Sequence, residues 1–296
     1  MKLLITGASG FIGTRLVRAA CAIYGQKNVM ALSSRPGEAC DTIVYDGLDL
    51  RMKQAELNQL ASVDVLIHAG AFTPKRGPEA NDLQGCNSNI SFTEQLLNLP
   101  FRKLQTILYL STLDVYAPAD LITESTPTAP ETLYGLSKLY CERMVTLFAT
   151  KANISSQILR IGHVYGPGEE KYAKFLPATI QNIVAGNAVE LWGDGAELRS
   201  FIYIDDVVSA ILAAVGLRDK GGIINVVGGQ PISIRRMLDA VIALSGKQVE
   251  IVVRELDGAK RNYVFDNTKL KTQLLSQETD FLTGLRAEYA HIEGLN

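Results

Sequence analysis

The sequence predicts a doubly wound α/β fold, in which helices cover both faces of a parallel sheet. Three observations predict it. The apolar run Lys2-Leu3-Leu4-Ile5-Thr6 passes straight into the glycine-rich turn Gly7-Ala8-Ser9-Gly10-Phe11-Ile12-Gly13. A helical repeat follows at once, with Ile12, Leu16, Ala19, Ala20 and Ile23 at three- and four-residue spacing. Further short apolar runs then alternate with helical spacing, which is the pattern of βα units.

The first strand–turn–helix unit predicts a dinucleotide site. Gly7 can take a positive φ at the strand end, Gly10 lets backbone approach a pyrophosphate, and Gly13 lets the helix pack close to the sheet. The amides of Phe11, Ile12 and Gly13 then open the helix toward the phosphates. The architecture is therefore of the Rossmann type.

Residues 28–32 read as a second strand ending in Ser33-Ser34-Arg35-Pro36-Gly37, about twenty residues beyond Gly13. An acidic residue here would bond a ribose 2′-hydroxyl. Ser33 followed by Arg35 instead leaves room for a 2′-phosphate, with a guanidinium to hold it. The expected cofactor is NADP, with NAD as the alternative. Residues 42–45 read as a third strand, after which Asp49 and Leu50 are placed to contact an adenine, although Asp49 would serve equally as a helix cap.

Residues 63–68 read as a fourth strand ending in His68-Ala69-Gly70-Ala71, where Ala69, Gly70 and Ala71 permit close approach to a cofactor. His68 reads as a structural histidine. Residues 73–86, broken by Pro74, Gly77 and Pro78, read as a surface loop carrying Thr73 as a candidate substrate contact; 87–99 return to helical spacing.

Residues 106–110 read as a fifth strand that delivers Ser111 and Thr112 to the carboxyl edge of the sheet, where ligands of such folds bind. Tyr134 and Lys138 then share one face of a helix continuing through Leu139, Met144, Leu147 and Phe148. A phenol titrates near pH 10. A nearby ammonium and an oxidised nicotinamide favour its phenolate, so Tyr134 can move a proton near neutral pH. Lys138 would also hydrogen-bond the nicotinamide ribose, and Thr112 would orient a sugar oxygen.

These motifs resemble the extended short-chain dehydrogenase/reductase family, also called the NAD-dependent epimerase/dehydratase family, whose members mostly act on nucleotide sugars. The resemblance spans nearly the whole chain. Besides the motifs above it includes Leu159-Arg160, Val164-Tyr165-Gly166-Pro167-Gly168, Gly193-Asp194-Gly195, Arg199-Ser200-Phe201-Ile202-Tyr203-Ile204-Asp205-Asp206-Val207 and Asn225-Val226-Val227-Gly228. It implies a nucleotide-binding domain of residues 1–168 plus 201–229, and a smaller α/β substrate lobe of 169–200 plus 230–296. Ser233 as cap, Met237, Leu238, Val241 and Leu244 as a helix face, Gly246 as stop and 249–253 as a strand fit such a lobe.

The resemblance also implies that Arg199 faces the substrate diphosphate and that the protein is a homodimer. The chain departs from the family in places. Thr112 is followed by Leu113 and Asp114, where the family's 4,6-dehydratases carry aspartate and glutamate; leucine cannot protonate a leaving hydroxyl. His163 stands where many members carry a diphosphate-binding asparagine, and the family's second phosphate-binding arginine has no clear match, with Arg254 and Arg261 as candidates. Nothing in the sequence explains Ala117 in place of a common glycine.

Composition narrows the partners. The chain has 296 residues, 47% hydrophobic, with a net charge of -2. No basic face or tail points to nucleic acid or an anionic membrane, and no apolar run approaches the roughly 20 residues that span a bilayer. The apolar start breaks at Gly7 without a leader pattern, so a cytoplasmic location is expected. Cys21, Cys40, Cys86 and Cys141 lack paired spacing, which predicts neither a metal site nor a disulfide framework. The expectation is an NAD(P)-dependent nucleotide-sugar epimerase or 4-ketoreductase transferring hydride at C4; the alternative is a non-catalytic NADP-binding sensor or scaffold with the same fold.

Overall fold

The computed structural model describes residues 1–46, 50–217, 222–255 and 261–295. In chain order the elements are β1 (Leu3–Thr6), α1 (Phe11–Tyr24), β2 (Val29–Ser33), β3 (Asp41–Val44), α2 (Gln54–Leu60), β4 (Val65–His68), α3 (Leu83–Leu97), β5 (Thr106–Thr112), α4 (Leu133–Ala152) and β6 (Ser155–Ile161). They continue with β7 (His163–Tyr165), α5 (Phe175–Val184), β8 (Val189–Trp192), β9 (Leu198–Tyr203), α6 (Ile204–Ala214), β10 (Gly222–Val226), β11 (Pro231–Ser233), α7 (Ile234–Ser245), β12 (Ile251–Arg254), α8 (Thr268–Gln273) and α9 (Phe281–Glu293).

The chain packs as two units. The first comprises Met1–Ala117, Pro127–Ile161 and Val207–Ile224. Its seven-stranded sheet has the order β10-β6-β5-β4-β1-β2-β3, and every ladder from β3 to β6 is parallel. This is the doubly wound order expected from the sequence, and it reverses direction between β1 and β4, where such folds bind ligands. The strands are buried on both faces, as parallel sheets between helices require. Leu4, Leu66, Ile107 and Ile158 supply the sheet side of one core, against Phe92 and Leu96 of α3 and Cys141 and Val145 of α4.

The helix assigned from the sequence to 87–99 begins earlier, at Leu83. Asp82 caps it by accepting the Gln84 amide, and a single 3-10 turn, Gly77–Asn81, with Pro78 in its first turn, leads into it. The loop is therefore confined to the segment before Gly77, because capping chemistry outweighs the local polarity. Asp49 lies outside the described residues.

The second unit comprises Pro118–Thr126, Gly162–Asp206 and Asn225–Asn296. β7 pairs in parallel with β9, and β9 antiparallel with β11; β8 pairs in parallel with β12. Leu176, Ile180 and Ile183 of α5, Met237, Leu238 and Val241 of α7, and Leu285, Tyr289 and Ile292 of α9 form its core. Ser233 caps α7 by accepting the Arg236 amide, and Gly246 ends it with φ 63°. The lobe boundaries read from the sequence differ from this packing at 118–126, 162–168, 201–206 and 225–229. The reason is strand pairing: β7 and β9 share one small sheet, which draws both into the second unit.

Candidate active site

The first unit brings the glycine turn against the end of β4. Gly7 has φ 69°, and a Cβ there would stand 2.7 Å from the Cα of Gly70 and 2.8 Å from the carbonyl carbon of Ala69. A Cβ on Gly13 would collide with the Gly7 carbonyl oxygen, so α1 can start this close to the turn only with glycine. Gly10 is the N-cap residue, with its amide on the Gly7 carbonyl at 2.9 Å; Phe11 and Ile12 lie in the first turn of α1. The N-cap has no side-chain cap bond and no acidic residue lies in the first turn, so neither local device offsets the positive end of the helix dipole. That cradle fits a pyrophosphate.

Gly70 is pinned by a buried relay. Its amide donates to Thr6 Oγ1 at 2.8 Å; Thr6 Oγ1 meets His68 Nδ1 at 3.0 Å, His68 Nε2 meets Thr93 Oγ1 at 3.0 Å, and Thr93 donates to the Asn89 carbonyl at 2.7 Å. Since Thr93 has spent its proton, its oxygen accepts from Nε2–H, and Nδ1 accepts from Thr6. Burial, with Lys138 nearby, holds the His68 pKa down to about 3, so the ring is neutral and structural, as the sequence suggests. Asn89 adds a second clamp: Oδ1 accepts from the Phe72 amide at 2.7 Å, and Nδ2 donates to the Phe72 carbonyl and to Ser137 Oγ. Nothing in its position in the sequence marks Asn89 as special.

Ser33 is buried at the end of β2 and accepts the Arg35 amide at 3.3 Å, while the Arg35 side chain is exposed. Leu50 is spent on the hydrophobic core with Leu32, Ile43 and Leu60, and its amide donates to Gln95. Gly70 is buried, Ala69 half-buried, and Ala71 and Thr73 exposed.

Thr112 closes β5, and Tyr134 and Lys138 lie in the first turns of α4, from which Lys138 reaches back to that strand. Thr112 Oγ1 donates to Asp114 Oδ2 at 3.1 Å and accepts the Asp114 amide at 3.3 Å. Thr132 caps α4 by accepting the Gly135 amide, and a Cβ on Gly135 would lie 2.5 Å from the Asp114 carbonyl oxygen. That contact seats the first turn of α4, with Tyr134, on the segment leaving β5. Tyr134 and Lys138 are both buried. Lys138 Nζ donates to the Leu110 carbonyl at 2.6 Å and stands 4.4 Å from the Tyr109 ring centroid. Burial lowers its pKa to about 8, against the opposing pull of Cys141 and Glu142. The position directly after Thr112 is a buried leucine, Leu113, and the nearest acid in the segment is Asp114, the hydrogen-bond partner of Thr112.

In the second unit His163, Arg199 and Arg261 converge on Tyr263, which the sequence analysis missed. The guanidinium carbons of Arg199 and Arg261 lie 5.0 and 4.6 Å from its ring centroid, and the His163 ring centroid 5.3 Å. Arg199 donates to the Leu198 and Arg261 carbonyls at 2.9 and 2.7 Å. Burial, then Arg199 and Lys174, hold the His163 pKa down to about 3, and its buried Nδ1 has no hydrogen-bond partner among the described residues. The available signal for Tyr263 is its place two residues after Arg261 in an extended segment, which puts both side chains on one side. Arg254 instead pairs with Glu190 at 2.8 Å.

Among the described residues no helix is long and apolar enough to cross a membrane, and no cluster of three metal-ligating side chains occurs. All four cysteines are free thiols, Cys40, Cys86 and Cys141 buried and Cys21 half-buried.

The family model for the NAD-dependent epimerase/dehydratase family matches residues 3–227. The chain is 27% identical to an uncharacterized UDP-glucose epimerase of Bacillus subtilis, YtcB, covering 100% of this chain and 99% of that one. It is 27% identical to a dTDP-4-dehydro-6-deoxy-D-allose reductase of Streptomyces bikiniensis, over 84% of this chain and 82% of the relative. The crystal structure of UDP-glucuronic acid 4-epimerase from Bacillus cereus, in complex with UDP-glucuronic acid and NAD, superposes with a TM-score of 0.86 at 26% identity, covering both chains completely. The family match, the sheet order and the glycine cradle agree: this chain belongs to the NAD-dependent epimerase/dehydratase family.

Proposed function

We propose that this protein transfers hydride at C4 of a nucleotide-linked sugar, with Tyr134 as the acid/base on O4. The observation that carries this reading is the buried Tyr134–Lys138 pair, seated by Gly135 on the strand end that bears Thr112. A nicotinamide dinucleotide bound at the cradle would accept and return the hydride. Gly7, Gly10, Phe11, Ile12 and Gly13 would hold its pyrophosphate, Ala69, Gly70 and Ala71 would allow its close approach, and Lys138 would hold its nicotinamide ribose. Lys138 also favours the Tyr134 phenolate, and Thr112, whose hydroxyl can turn away from Asp114, orients the sugar oxygen. Thr73, His163, Arg199 and Arg261 are assigned to the substrate, with the two arginines on its diphosphate.

The buried Leu113 argues against dehydration, leaving epimerisation or reduction. Ser33 and Arg35 favour NADP, whereas the Bacillus cereus epimerase is in complex with NAD. The exposed faces of Leu136, Tyr140 and Leu147 on α4 suit a homodimer built on α3 and α4, and the family suits a cytoplasmic location. Incubation with a panel of nucleotide sugars separates the outcomes. Net NADPH consumption identifies a reductase, product without net redox change identifies an epimerase, and no turnover of any 4-hydroxy or 4-keto sugar nucleotide defeats both.

A further inference from the structure

Glu142 lies one turn beyond Lys138 on α4, so Tyr134, Lys138 and Glu142 follow at four-residue intervals on one buried face. Lys138 and Glu142 are 3% and 4% exposed, and Arg160 on β6 is 3% exposed. One carboxylate there takes three donors: Ser111 Oγ at 2.5 Å and Arg160 Nε at 2.9 Å on Oε1, and the second Arg160 nitrogen at 2.7 Å on Oε2. Ser111 and Arg160 are register partners on β5 and β6. Leu110, whose carbonyl receives Lys138, immediately precedes Ser111, and Thr112 follows it. A single side chain of α4 thus grips two adjacent strands at the peptide that seats the lysine.

We propose that Glu142 is a positioning residue for the proton-transfer site: clamped by Ser111 and Arg160, it fixes the rotation of α4 so that Lys138 sits on the Leu110 carbonyl beside Tyr134. This rests on the reading that Tyr134 and Lys138 carry the chemistry. Forked, charge-assisted bonds of this kind impose direction as well as energy. Arg160 also stands 4.5 Å from the Tyr116 ring centroid.

Glu142 also acts by its charge. The groups that act on Lys138 are His68 on β4, Tyr109 on β5, and Cys141 and Glu142 on α4; Tyr134 acts on Tyr109, and Arg160 on β6 is held by Glu142. His68 is neutral, and burial pushes the Tyr109 phenol well above its ordinary value. Cys141 and then Glu142 act against the effect of burial on Lys138, and of the two it is Glu142 that also pairs with the buried Arg160.

The test is Glu142→Gln, which keeps the shape and removes the charge. Two readouts are taken: the pH profile of kcat, and the titration of the Lys138 ammonium by NMR of Nζ-labelled protein. The expected result is an ammonium titration about one pH unit lower and an alkaline limb of kcat displaced in the same direction, with KM for the dinucleotide little changed. A variant that melts lower while both pH readouts stay in place would make Glu142 merely structural and overturn the proposal. If the wild-type enzyme turns over no nucleotide sugar, the reading of the chemistry falls, yet the Lys138 titration still decides for or against Glu142. Should Glu142→Gln not fold, Ser111→Ala removes one of the three donors and is expected to lower kcat several-fold with KM unchanged; an unaltered kcat overturns the proposal.

Discussion

The two units bury charge in opposite ways. In the first, Glu142 meets Arg160 and Ser111, and Lys138 meets a carbonyl, so each buried charge is held by named partners. In the second, Glu169 and Glu288 are buried beside one another, and Lys174, whose side chain is 46% exposed, pairs with Glu169 at 2.7 Å and also donates to the Val164 carbonyl at 3.3 Å. Burial and the neighbouring Glu169 push the Glu288 pKa up to about 9. Its charge is removed by a proton rather than matched by a cation. A carboxyl can be buried by either route, but only the first leaves a charge available for chemistry.

The difference can be broken at its functional end by Tyr134→Phe. The variant should fold and bind dinucleotide yet lose about 10²- to 10⁴-fold in turnover, the usual range for a general acid/base. Near-normal kcat would take Tyr134 out of the mechanism and reduce the paired charges of the first unit to packing.

A smaller effect is expected at the edge of the same unit. NADP should bind roughly ten- to a hundredfold more tightly than NAD, and Arg35→Ala should remove most of that gap while leaving NAD affinity nearly unchanged. Calorimetry that finds equal affinities in the unmutated protein assigns Arg35 to solvent and shifts the balance toward an epimerase that retains NAD. Sedimentation addresses the exposed face of α4: a species of monomer mass at micromolar concentration would exclude the α3–α4 dimer.

The smallest effect sharpens the second unit. The folded form holds the Glu288 proton more tightly than the unfolded chain, whose carboxyl titrates near its ordinary value of 4.5. This contribution to stability is therefore complete below that value and is lost progressively as the pH rises toward 9. Glu288→Gln mimics the protonated acid, so thermal melts at pH 5, 7 and 9 should show a flatter dependence and, at pH 9, a Tm higher by about 3 °C. Parallel curves for the two proteins would mean that Glu288 keeps its charge in the fold.

Local chemistry made much of the molecule legible in the sequence. Apolar runs joined by helical repeats give β1 to β5 with α1, α3 and α4, since burial on both faces of a parallel sheet writes itself into composition, whereas α2 and β6 were not read. The glycine turn is equally local, because positive φ at Gly7 and the closeness of Gly7 to Gly13 are demands on neighbours in the chain. The Tyr134–Lys138 spacing belongs to the same class. Ser233 and Gly246 bounded α7 for that reason too, whereas Asp82, an equally local cap, went unread inside a polar stretch.

Other features were decided only when distant segments met. That Glu142 is gripped at all depends on the β5–β6 register, which sets Ser111 beside Arg160. Tyr263 joins Arg199 through backbone pairing between residues more than sixty positions apart. The membership of β7 and β9 in the second unit follows from their mutual pairing, which neither strand declares alone. Glu288 lies four residues after Gly284 in an ordinary helical pattern, and only the packing of α9 beside Glu169 makes its proton hard to remove. A residue's type and spacing state what it can do; the dielectric and the partners that govern its charge are properties of the assembled fold.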